Sequence, residues 1–329
     1  MPPATIICIG MAGAGKTTFV QRLNSHLSSK EARPYVINFD PAVLKIPYEP
    51  NIDIRDSINY KKVMQKYNLG PNGAIVTSLN LFSTKVDQVI NLVEKKADTI
   101  QNIIIDTPGQ IECFVWSASG AILTEAFAST FPTVIAYVVD TPRTAAPSTF
   151  MSNMLYACSI LYKTKLPMIV VFNKTDVKDA EFAKEWMRDF ESFQRALMEE
   201  RENGNDGSSS GYMNSLVNSL SLTLEEFYSQ LDVASCSAYT GDGFDDFMDL
   251  VGKKTEEYDK YYLAERKELL KKNAEKESQR KTDSLNKLVK DLDIKEDVIG
   301  RGRDSNVLSD IEDSEEEEEL KAEKDQSAK

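Results

Sequence analysis

The stretch Ala4-Thr-Ile-Ile-Cys-Ile-Gly10-Met-Ala-Gly-Ala-Gly15-Lys16-Thr17 joins an apolar run of strand length to a glycine-rich turn, and a segment of helical period follows. Glycines at this spacing let the backbone curl until its N–H groups point inward at phosphates, at the positive end of the next helix. The lysine then reaches the β and γ phosphates and the hydroxyl binds Mg²⁺. We predict a phosphate-binding loop with ligand contacts from Gly13, Ala14, Gly15, Lys16, Thr17 and Thr18.

This strand, loop and helix begin a pattern that fills the first 250 residues or so. Apolar runs of strand length recur near residues 35–39, 103–105, 133–139, 168–172 and 232–236, with segments of helical period between them. Continuous apolarity marks strands buried on both faces, and helices between strands favour right-handed parallel crossovers. The sequence therefore predicts an α/β fold, a P-loop NTPase with a doubly wound, mostly parallel sheet.

The pattern changes along the chain and divides it into three predicted regions. Residues 1–252 form the nucleotide-binding domain, with a helical insertion at about 178–231. That insertion is either a partner-binding element or a helical layer that covers the sheet. Residues 253–298 form a charged helical extension, and residues 299–329 form an acidic tail with too little apolar surface to order itself.

Composition and charge exclude several classes of function. The chain has 329 residues, is 41% hydrophobic and carries a formal net charge of -13, so no direct binding of nucleic acid is expected. Its four cysteines are widely separated, which is typical of reduced thiols rather than of a zinc or disulfide framework. No secretory signal precedes the first strand, and no apolar run approaches the roughly 18 residues that span a bilayer. We expect a soluble, cytoplasmic protein without membrane contact.

Two aspartates follow strand-length runs and are candidate metal ligands. Asp106-Thr-Pro-Gly109 comes directly after such a run, which places a carboxylate at the carboxyl end of a strand beside the phosphate loop. Asp40 ends the second run and lies at the same edge. We predict that Thr17, Asp40 and Asp106 hold Mg²⁺, and that Gly109 brings its backbone N–H against the γ phosphate. The alternative for Asp40 is a strand-end aspartate that only caps a turn.

Asn173-Lys174-Thr-Asp176 follows another strand-length run and is a motif that selects guanine. The Asp176 carboxylate can accept from both N1–H and the exocyclic amine of guanine, whereas adenine offers neither donor there. A buried carboxylate that faces an adenine acceptor is left unpaired, which discriminates by about 10⁴-fold or more. We predict that Asn173 braces the loops, that the Lys174 stem lies over the base, and that Ser237 and Ala238 offer a backbone N–H to guanine O6.

These motifs together predict binding of GTP and GDP with Mg²⁺, and hydrolysis of GTP by in-line attack of water. Mg²⁺, Lys16, Asp40 and backbone N–H groups support this reaction through positioning and electrostatics. Gln110 directly follows Gly109, where a side chain can orient the attacking water or stabilise charge. Glu112, two residues further on, is either a supporting group or a contact within the switch helix. The single histidine, His26, faces no evident acid or nucleophile, so histidine-based acid–base chemistry is excluded.

The tripeptide Gly70-Pro71-Asn72, placed between these motifs, makes residues 4–250 resemble the GPN-loop GTPases. Asp106-Thr-Pro-Gly-Gln-Ile-Glu112 and the stretch from Asn72 to Asn80 share in the resemblance. On chemical grounds Gly-Pro-Asn reads as a turn, because Gly70 can adopt a positive φ, Pro71 stiffens the chain and Asn72 offers a donor and an acceptor.

The resemblance implies a dimer, with the same chain or with a homologous GPN-loop GTPase, in which Asn72 reaches the partner's nucleotide. The length, the charged extension and the acidic tail resemble the branch associated with RNA polymerase II assembly and nuclear import, so polymerase subunits and assembly factors are the implied partners. Two alternatives stay open, namely a nucleotide-binding scaffold or chaperone-like adaptor without significant turnover, and a P-loop metabolite kinase.

The C-terminal extension carries two weaker patterns. Leu285, Leu288, Leu292 and Ile294 are spaced like a nuclear export signal, which makes an export receptor a further candidate partner and leaves shuttling to the nucleus open. A short amphipathic helix that docks on the core is the alternative. Ser309 and Ser314 precede acidic residues, as acidophilic kinase sites do.

Overall fold

The computed structural model describes residues 2–203, 227–228, 231–263, 276 and 280, without the side chains of residues 190, 200–203 and 261. The strands in this part of the chain are β1 Ala4–Ile9, β2 Pro34–Asn38, β3 Ile52–Asp53, β4 Asn102–Asp106, β5 Thr133–Asp140, β6 Met168–Asn173 and β7 Asp232–Ser235. They form one parallel sheet in the order β3-β2-β4-β1-β5-β6-β7. This confirms the predicted doubly wound α/β fold.

Helices connect successive strands, except β2 and β3, and cover both faces of the sheet. Within the described ranges they are α1 Lys16–Ser29, α2 Ile54–Ser57, α3 Tyr60–Tyr67, α4 Pro71–Ser83, α5 Val86–Glu94, α6 Ile111–Val115, α7 Ala118–Thr130, α8 Pro147–Thr164, α9 Glu181–Arg188, α10 Phe190–Asn203 and α11 Phe244–Glu257. The chain adds 3₁₀ turns at Ala97–Thr99 and Arg143–Ala145, and α11 continues as a π-helical turn over Tyr258–Tyr262.

Alternate side chains of the central strands build two hydrophobic cores, one on each face of the sheet. On β1, Ile7 and Ile9 pack in the core that includes α4, α7 and α8, whereas Ile6 and Cys8 pack in the core that includes α1 and α11. Every residue of β4, β5 and β6 is buried. Burial on both faces explains why these strands have continuous rather than alternating apolar sequences.

The edge strand β3 is an element that the sequence pattern did not predict. It has only two residues, Ile52 and Asp53, and α2 begins at the next residue. The Asp53 side chain accepts a hydrogen bond from the backbone N–H of Arg55, which caps that helix. The pairing of β3 with β2 fixes both ends of the intervening segment, residues 39–51, at the sheet.

The described part of the insertion packs as a helical layer. Phe193 and Leu197 of α10 are buried, and the Trp186 ring of α9 meets the Phe150 ring of α8 edge to face with centroids 5.3 Å apart. The sheet and these helices belong to one compact unit, Met1–Arg266. Helix α11 is continuous across residue 252, where the composition placed a boundary.

The second unit of the chain, Lys267–Lys329, is described only at Lys276 and Arg280. The leucine pattern at 285–294, the serines at 309 and 314 and the predicted boundary at 298 therefore lie outside the described residues. None of the helices in the described ranges has the length and apolarity that a membrane crossing requires.

Candidate nucleotide-binding site

The phosphate loop leaves β1 at the carboxyl edge of the sheet and leads directly into α1. Gly15 precedes this helix with a φ of 89°, a left-handed conformation that favours glycine. Gly10 is required for a different reason, because a Cβ at this position would lie 2.2 Å from the carbonyl oxygen of Val138 on β5. The loop ends at the N-terminus of α1, where free backbone N–H groups and the helix dipole favour a bound anion.

The side chain of Lys16 folds back onto the phosphate loop. This side chain is buried, and Nζ donates hydrogen bonds to the carbonyl oxygens of Gly10 at 2.8 Å and Met11 at 3.1 Å. Burial lowers the pKa of Lys16, while the carboxylates of Asp106 and Asp40 act in the opposite direction. The ammonium group thus contacts the loop carbonyls, and both predicted metal ligands are near enough to act on its charge.

Asp106 is the last residue of β4 and is almost fully buried. Its Oδ2 accepts a hydrogen bond of 2.8 Å from the Tyr48 hydroxyl, whereas its Oδ1 has no hydrogen-bond partner in the described part of the chain. Burial raises the pKa of Asp106 to about 6, while Tyr48, Thr17 and Lys16 act to lower it. A buried carboxylate oxygen without a partner is costly, and a cation or its bound water would supply one.

Asp40 lies two residues beyond β2 and is half-buried. Its Oδ1 accepts the N–H of Ala42 at 2.9 Å, so it does cap a turn. Burial raises the pKa of Asp40, and the N–H groups of Ala42 and Gly109 together with Lys16 oppose that rise. Two carboxylates and the Thr17 hydroxyl are a donor set that Mg²⁺ accepts together with nucleotide phosphates and water, so these residues fit the ion.

Asn173, at the end of β6, joins three loops. Its Nδ2 donates to the carbonyl oxygen of Ala14 at 2.9 Å, and its Oδ1 accepts the N–H of Ala238 at 3.1 Å. Its carbonyl oxygen accepts the N–H of Thr141 at 3.2 Å and the hydroxyl of Thr141 at 2.6 Å. The phosphate loop and the predicted guanine loops are therefore tied to one side chain at the carboxyl edge of the sheet.

Lys174 extends this connection to a residue that the sequence analysis missed. Its Nζ donates to the carbonyl oxygen of Gly13 at 2.8 Å and to Oδ2 of Asp140 at 2.7 Å. Asp140 ends β5 and also lies 3.6 Å from Nε of Arg143, whose Nη1 approaches within 3.3 Å of the place of a Cβ on Gly13. The rule that selected Asp106, an aspartate at the carboxyl end of a buried strand, would have found Asp140 as well.

Asp176 and Ser237, both predicted to contact the base, are hydrogen-bonded to each other. The Ser237 hydroxyl donates to Oδ1 of Asp176 at 2.6 Å and accepts the N–H of Thr240 at 3.1 Å. The assumption of a buried carboxylate was wrong, because Asp176 is exposed, and a bound base must itself exclude water from it. The N–H of Ala238, predicted to face guanine O6, donates to Asn173 instead.

Gly70, Pro71 and Asn72 begin helix α4 rather than forming a turn. Gly70 has φ −72° and ψ 172°, an extended conformation open to any residue, so the predicted use of positive φ was wrong. Pro71 is the first helical residue, where its missing N–H costs nothing, and its carbonyl oxygen accepts the Tyr60 hydroxyl at 3.2 Å. All three residues are exposed, and a Cβ on Gly70 would meet no described atom within 4 Å. The described chain itself gives no reason for glycine at this position.

The predicted water-positioning residues lie near this helix start. The thiol of Cys113 on α6 lies 3.8 Å from the carbonyl oxygen of Asn72 and 3.4 Å from Oε1 of Gln110. Gln110 precedes α6 and is half-buried, whereas Glu112 is exposed in its first turn. The structure thus brings Asn72 and Gln110 to the same thiol, and their roles in hydrolysis stay predictions.

The fold and the phosphate loop together define a P-loop nucleotide-binding protein with a predicted guanine-reading loop, and comparisons with known proteins refine that class. Residues 8–257 match a family described as "conserved hypothetical ATP binding protein". GPN-loop GTPase 1 of Saccharomyces cerevisiae is 69% identical over 317 residues, which cover 96% of this chain and 82% of that protein. GPN-loop GTPase 1 of Schizosaccharomyces pombe is 56% identical over 311 residues, covering 94% and 84%.

A solved structure agrees with the fold. A GTPase from Pyrococcus abyssi, in its apo form, superposes with a TM-score of 0.62 at 24% identity, covering 76% of this chain and 97% of its own. The chain belongs to the GPN-loop GTPase family. It binds GTP and hydrolyses it, as the guanine motif and the phosphate loop predicted.

Proposed function

We propose that this GTPase is a Mg²⁺-dependent molecular switch that works as a dimer, as an assembly and nuclear import factor for RNA polymerase II. The observation that carries the switch is the buried Oδ1 of Asp106, which has no hydrogen-bond partner among the described residues, next to a buried lysine on whose charge both Asp106 and Asp40 act. Asp40 starts the segment between β2 and β3, and Asp106 is followed by Gly109 and α6. Segments that hold the metal ion and the γ phosphate are ordered by the triphosphate and released on hydrolysis.

Thr17, Asp40 and Asp106 would hold Mg²⁺, which neutralises charge on the phosphates and on the leaving group. Lys16 and the N–H groups at the start of α1 share that electrostatic work. The backbone N–H of Gly109, which acts on the Asp40 carboxylate in this structure, would turn to the γ phosphate when GTP is bound. Gln110 and Glu112, at the start of α6, orient the attacking water. The protein forms no covalent bond to the nucleotide in this reaction.

The dimer is supported by the exposed start of α4. The backbone conformation at residue 70 is open to any amino acid, and no described neighbour would clash with a side chain there. A glycine at this position would, however, let another molecule approach the backbone closely. Asn72 then presents a donor and an acceptor to the partner's nucleotide, where it stabilises phosphate charge or holds the attacking water. The partner is a second copy of this chain or a homologous GPN-loop GTPase.

The polymerase role rests on the resemblance of the sequence to the family branch associated with RNA polymerase II. The formal charge of -13 favours protein partners over nucleic acid, in keeping with an adaptor for polymerase subunits and assembly factors. The proposed location is the cytoplasm, with shuttling to the nucleus through an export receptor that reads the leucine pattern.

Phosphate release from Mg²⁺-GTP tests the enzymatic part of this proposal. Lys16→Ala and Asp106→Ala should abolish turnover, because each removes a charge that the reaction requires. Asn72→Ala should lower kcat more than it raises the Kd for GTP, since the residue acts on the reacting phosphate. Equal turnover of wild type and Asn72→Ala would contradict a role for Asn72 in hydrolysis.

Purification of the tagged full chain from its native cells tests the partner assignment. Mass spectrometry should find RNA polymerase II subunits and assembly factors with wild type, and a changed set with Lys16→Ala, because nucleotide state sets partner binding. An inhibitor of the export receptor should also move the chain into the nucleus. Absence of polymerase subunits from both preparations, with unchanged nuclear polymerase after depletion of the chain, would contradict the role.

A further inference from the structure

The segment between β2 and β3, residues 39–51, contributes a tyrosine to the predicted metal site. Tyr48 is 8% exposed, and its hydroxyl donates to Oδ2 of Asp106 at 2.8 Å. The two residues are 58 positions apart, and nothing in their local sequence pairs them. Buried tyrosine hydroxyls take a hydrogen-bond partner, and here that partner is an acidic group essential to the proposed switch.

The two oxygens of Asp106 have different surroundings. Oδ2 accepts from Tyr48, and Oδ1 is buried with no partner at hydrogen-bond geometry in the described ranges. The Thr17 hydroxyl, another predicted metal ligand, lies near the same carboxylate. A carboxylate held through one oxygen has its rotation about the Cβ–Cγ bond fixed, so the other oxygen keeps one direction. Oδ1 is therefore the oxygen left for Mg²⁺ or for a water bound to it.

The same segment carries a second predicted metal ligand at its other end. Asp40 accepts the N–H of Ala42 through Oδ1, and its own N–H donates to Oδ1 of Asn38 at 3.0 Å. The middle of the segment is held by Arg55, which donates to the carbonyl oxygen of Val43 at 3.2 Å. The segment is thus fastened to the site at Asp40 and again at Tyr48.

We propose that Tyr48 is a positioning residue for Mg²⁺: its hydroxyl holds Asp106 with Oδ1 directed at the ion. It also couples occupation of the metal site to the conformation of residues 39–51. Tyr48 acts through Asp106 and does not touch the nucleotide. This inference rests on the proposed Mg²⁺ dependence of the switch.

The test is the Mg²⁺ dependence of nucleotide release from the full chain. Release of a fluorescent GDP analogue is followed at increasing free Mg²⁺, buffered with EDTA, for wild type, Tyr48→Phe and Tyr35→Phe. Tyr48→Phe keeps the ring and removes only the hydroxyl. Tyr35, a half-buried tyrosine of β2, supplies the matched control.

For Tyr48→Phe we expect the Mg²⁺ concentration that gives half-maximal slowing of release to rise about tenfold, as for loss of a hydrogen bond to a charged group. Saturating Mg²⁺ should restore slow release, whereas general damage to the fold would speed release at every Mg²⁺ concentration. Tyr35→Phe should follow the wild-type curve.

If the Mg²⁺ concentration for half-maximal slowing in Tyr48→Phe lies within twofold of the wild-type value, the inference is overturned and the proposed switch is left intact. Fast release that saturating Mg²⁺ does not slow also overturns it, because the hydroxyl would then have only a structural role. Release from wild type that is independent of Mg²⁺ removes the proposed switch and this inference together.

Discussion

At the scale of single residues, the site depends on a carboxylate that holds two cations. Asp140 is nearly buried, and its Oδ2 lies 2.7 Å from Nζ of Lys174 and 3.6 Å from Nε of Arg143. Lys174 is at the same time bonded to the carbonyl oxygen of Gly13. If the base stacks on the Lys174 stem as predicted, an ammonium fixed in this way would lose little freedom on binding, so we expect Asp140 to preorganise the guanine site.

We expect Asp140→Asn to weaken binding of GDP and GTP about tenfold, because a neutral amide no longer fixes the Lys174 ammonium. Isothermal titration calorimetry of variant and wild type measures this change. Asp98→Asn is the matched control, since Asp98 is exposed in the turn before β4, at the opposite edge of the sheet. Unchanged affinity in Asp140→Asn, or an equal loss in the control, would contradict this role.

Residues near each other in sequence could be predicted, and residues that meet only through folding could not. The phosphate loop and the motif from Asn173 to Asp176 have fixed local spacing, which a sequence reveals directly. Tyr48 could not be found this way, because its importance comes from a contact with Asp106 across the sheet edge. The exposure of Asp176 was equally beyond reach, since it depends on how the neighbouring loops end.

At the scale of elements, the two-residue strand β3 is held by a partly buried ion pair. The Arg55 guanidinium donates to both oxygens of Asp53 on β3, and Asn38 of β2 donates to Oδ1 of Asp53 at 2.9 Å. Burial raises the pKa of Asp53, but the hydrogen bonds from Arg55 and Asn38 outweigh it and leave the pKa below its ordinary value. Because Arg55 also holds Val43, this pair anchors the segment that carries Asp40 and Tyr48.

Asp53→Asn should lower the free energy of unfolding at pH 7 by about 1–2 kcal/mol, the usual cost of a weakened buried hydrogen-bond set. A depressed pKa contributes stability above the ordinary value of 3.8, and that stability is lost as pH falls through the folded pKa. The difference in the free energy of unfolding between wild type and Asp53→Asn should therefore stay constant down to about pH 5 and become smaller below about pH 4.

Urea unfolding across this pH series measures the difference. Asp56→Asn, an exposed aspartate in α2, is the matched control and should remain close to wild type throughout. A difference for Asp53→Asn that grows on acidification would show that the Asp53 carboxylate is destabilising in the fold.

The elements that were predicted are those with a strong pattern of their own. β1, β4, β5 and β6 are buried on both faces, and burial leaves a continuous apolar run in the sequence. β3 has only two residues and is held by a hydrogen bond between the side chains of Asn38 and Asp53. A strand this short has no periodic pattern from which it could be predicted. Gly-Pro-Asn reads as a turn by composition, yet proline at the first helical position is equally compatible with the start of α4.

At the scale of the whole molecule, the proposed dimer makes each site depend on both chains. A Lys16→Ala chain has no functional nucleotide site of its own but still offers Asn72 to its partner. An Asn72→Ala chain keeps its nucleotide site but offers no Asn72. When equal amounts of the two variants exchange subunits, half of the dimers are mixed, and each mixed dimer has one complete site, which lies on the Asn72→Ala chain. We expect turnover to recover to roughly a quarter of wild type, the statistical share of complete sites in a two-fold dimer.

Phosphate release after subunit exchange, with size-exclusion chromatography and light scattering to show the dimer, measures this recovery. Turnover of the mixture that equals the mean of the separate variants would contradict action of Asn72 across the interface. If the chain stays monomeric with GTP and Mg²⁺, it does not pair with a second copy of itself. The proposed dimer would then require a homologous GPN-loop GTPase as the partner.

The guanine specificity of the whole site depends on Asp176 reading the base of the nucleotide whose phosphates lie at Lys16. Calorimetry with GTP, ATP and xanthosine triphosphate (XTP) on wild type and Asp176→Asn tests this most directly. Xanthine carries a carbonyl where guanine carries its exocyclic amine, so the amide of an asparagine can donate a hydrogen bond to it. Wild type should bind GTP more tightly than ATP by about 10⁴-fold or more. Asp176→Asn should lose GTP and prefer XTP. Equal affinity of wild type for ATP and GTP, or undiminished GTP binding by Asp176→Asn, would contradict the account.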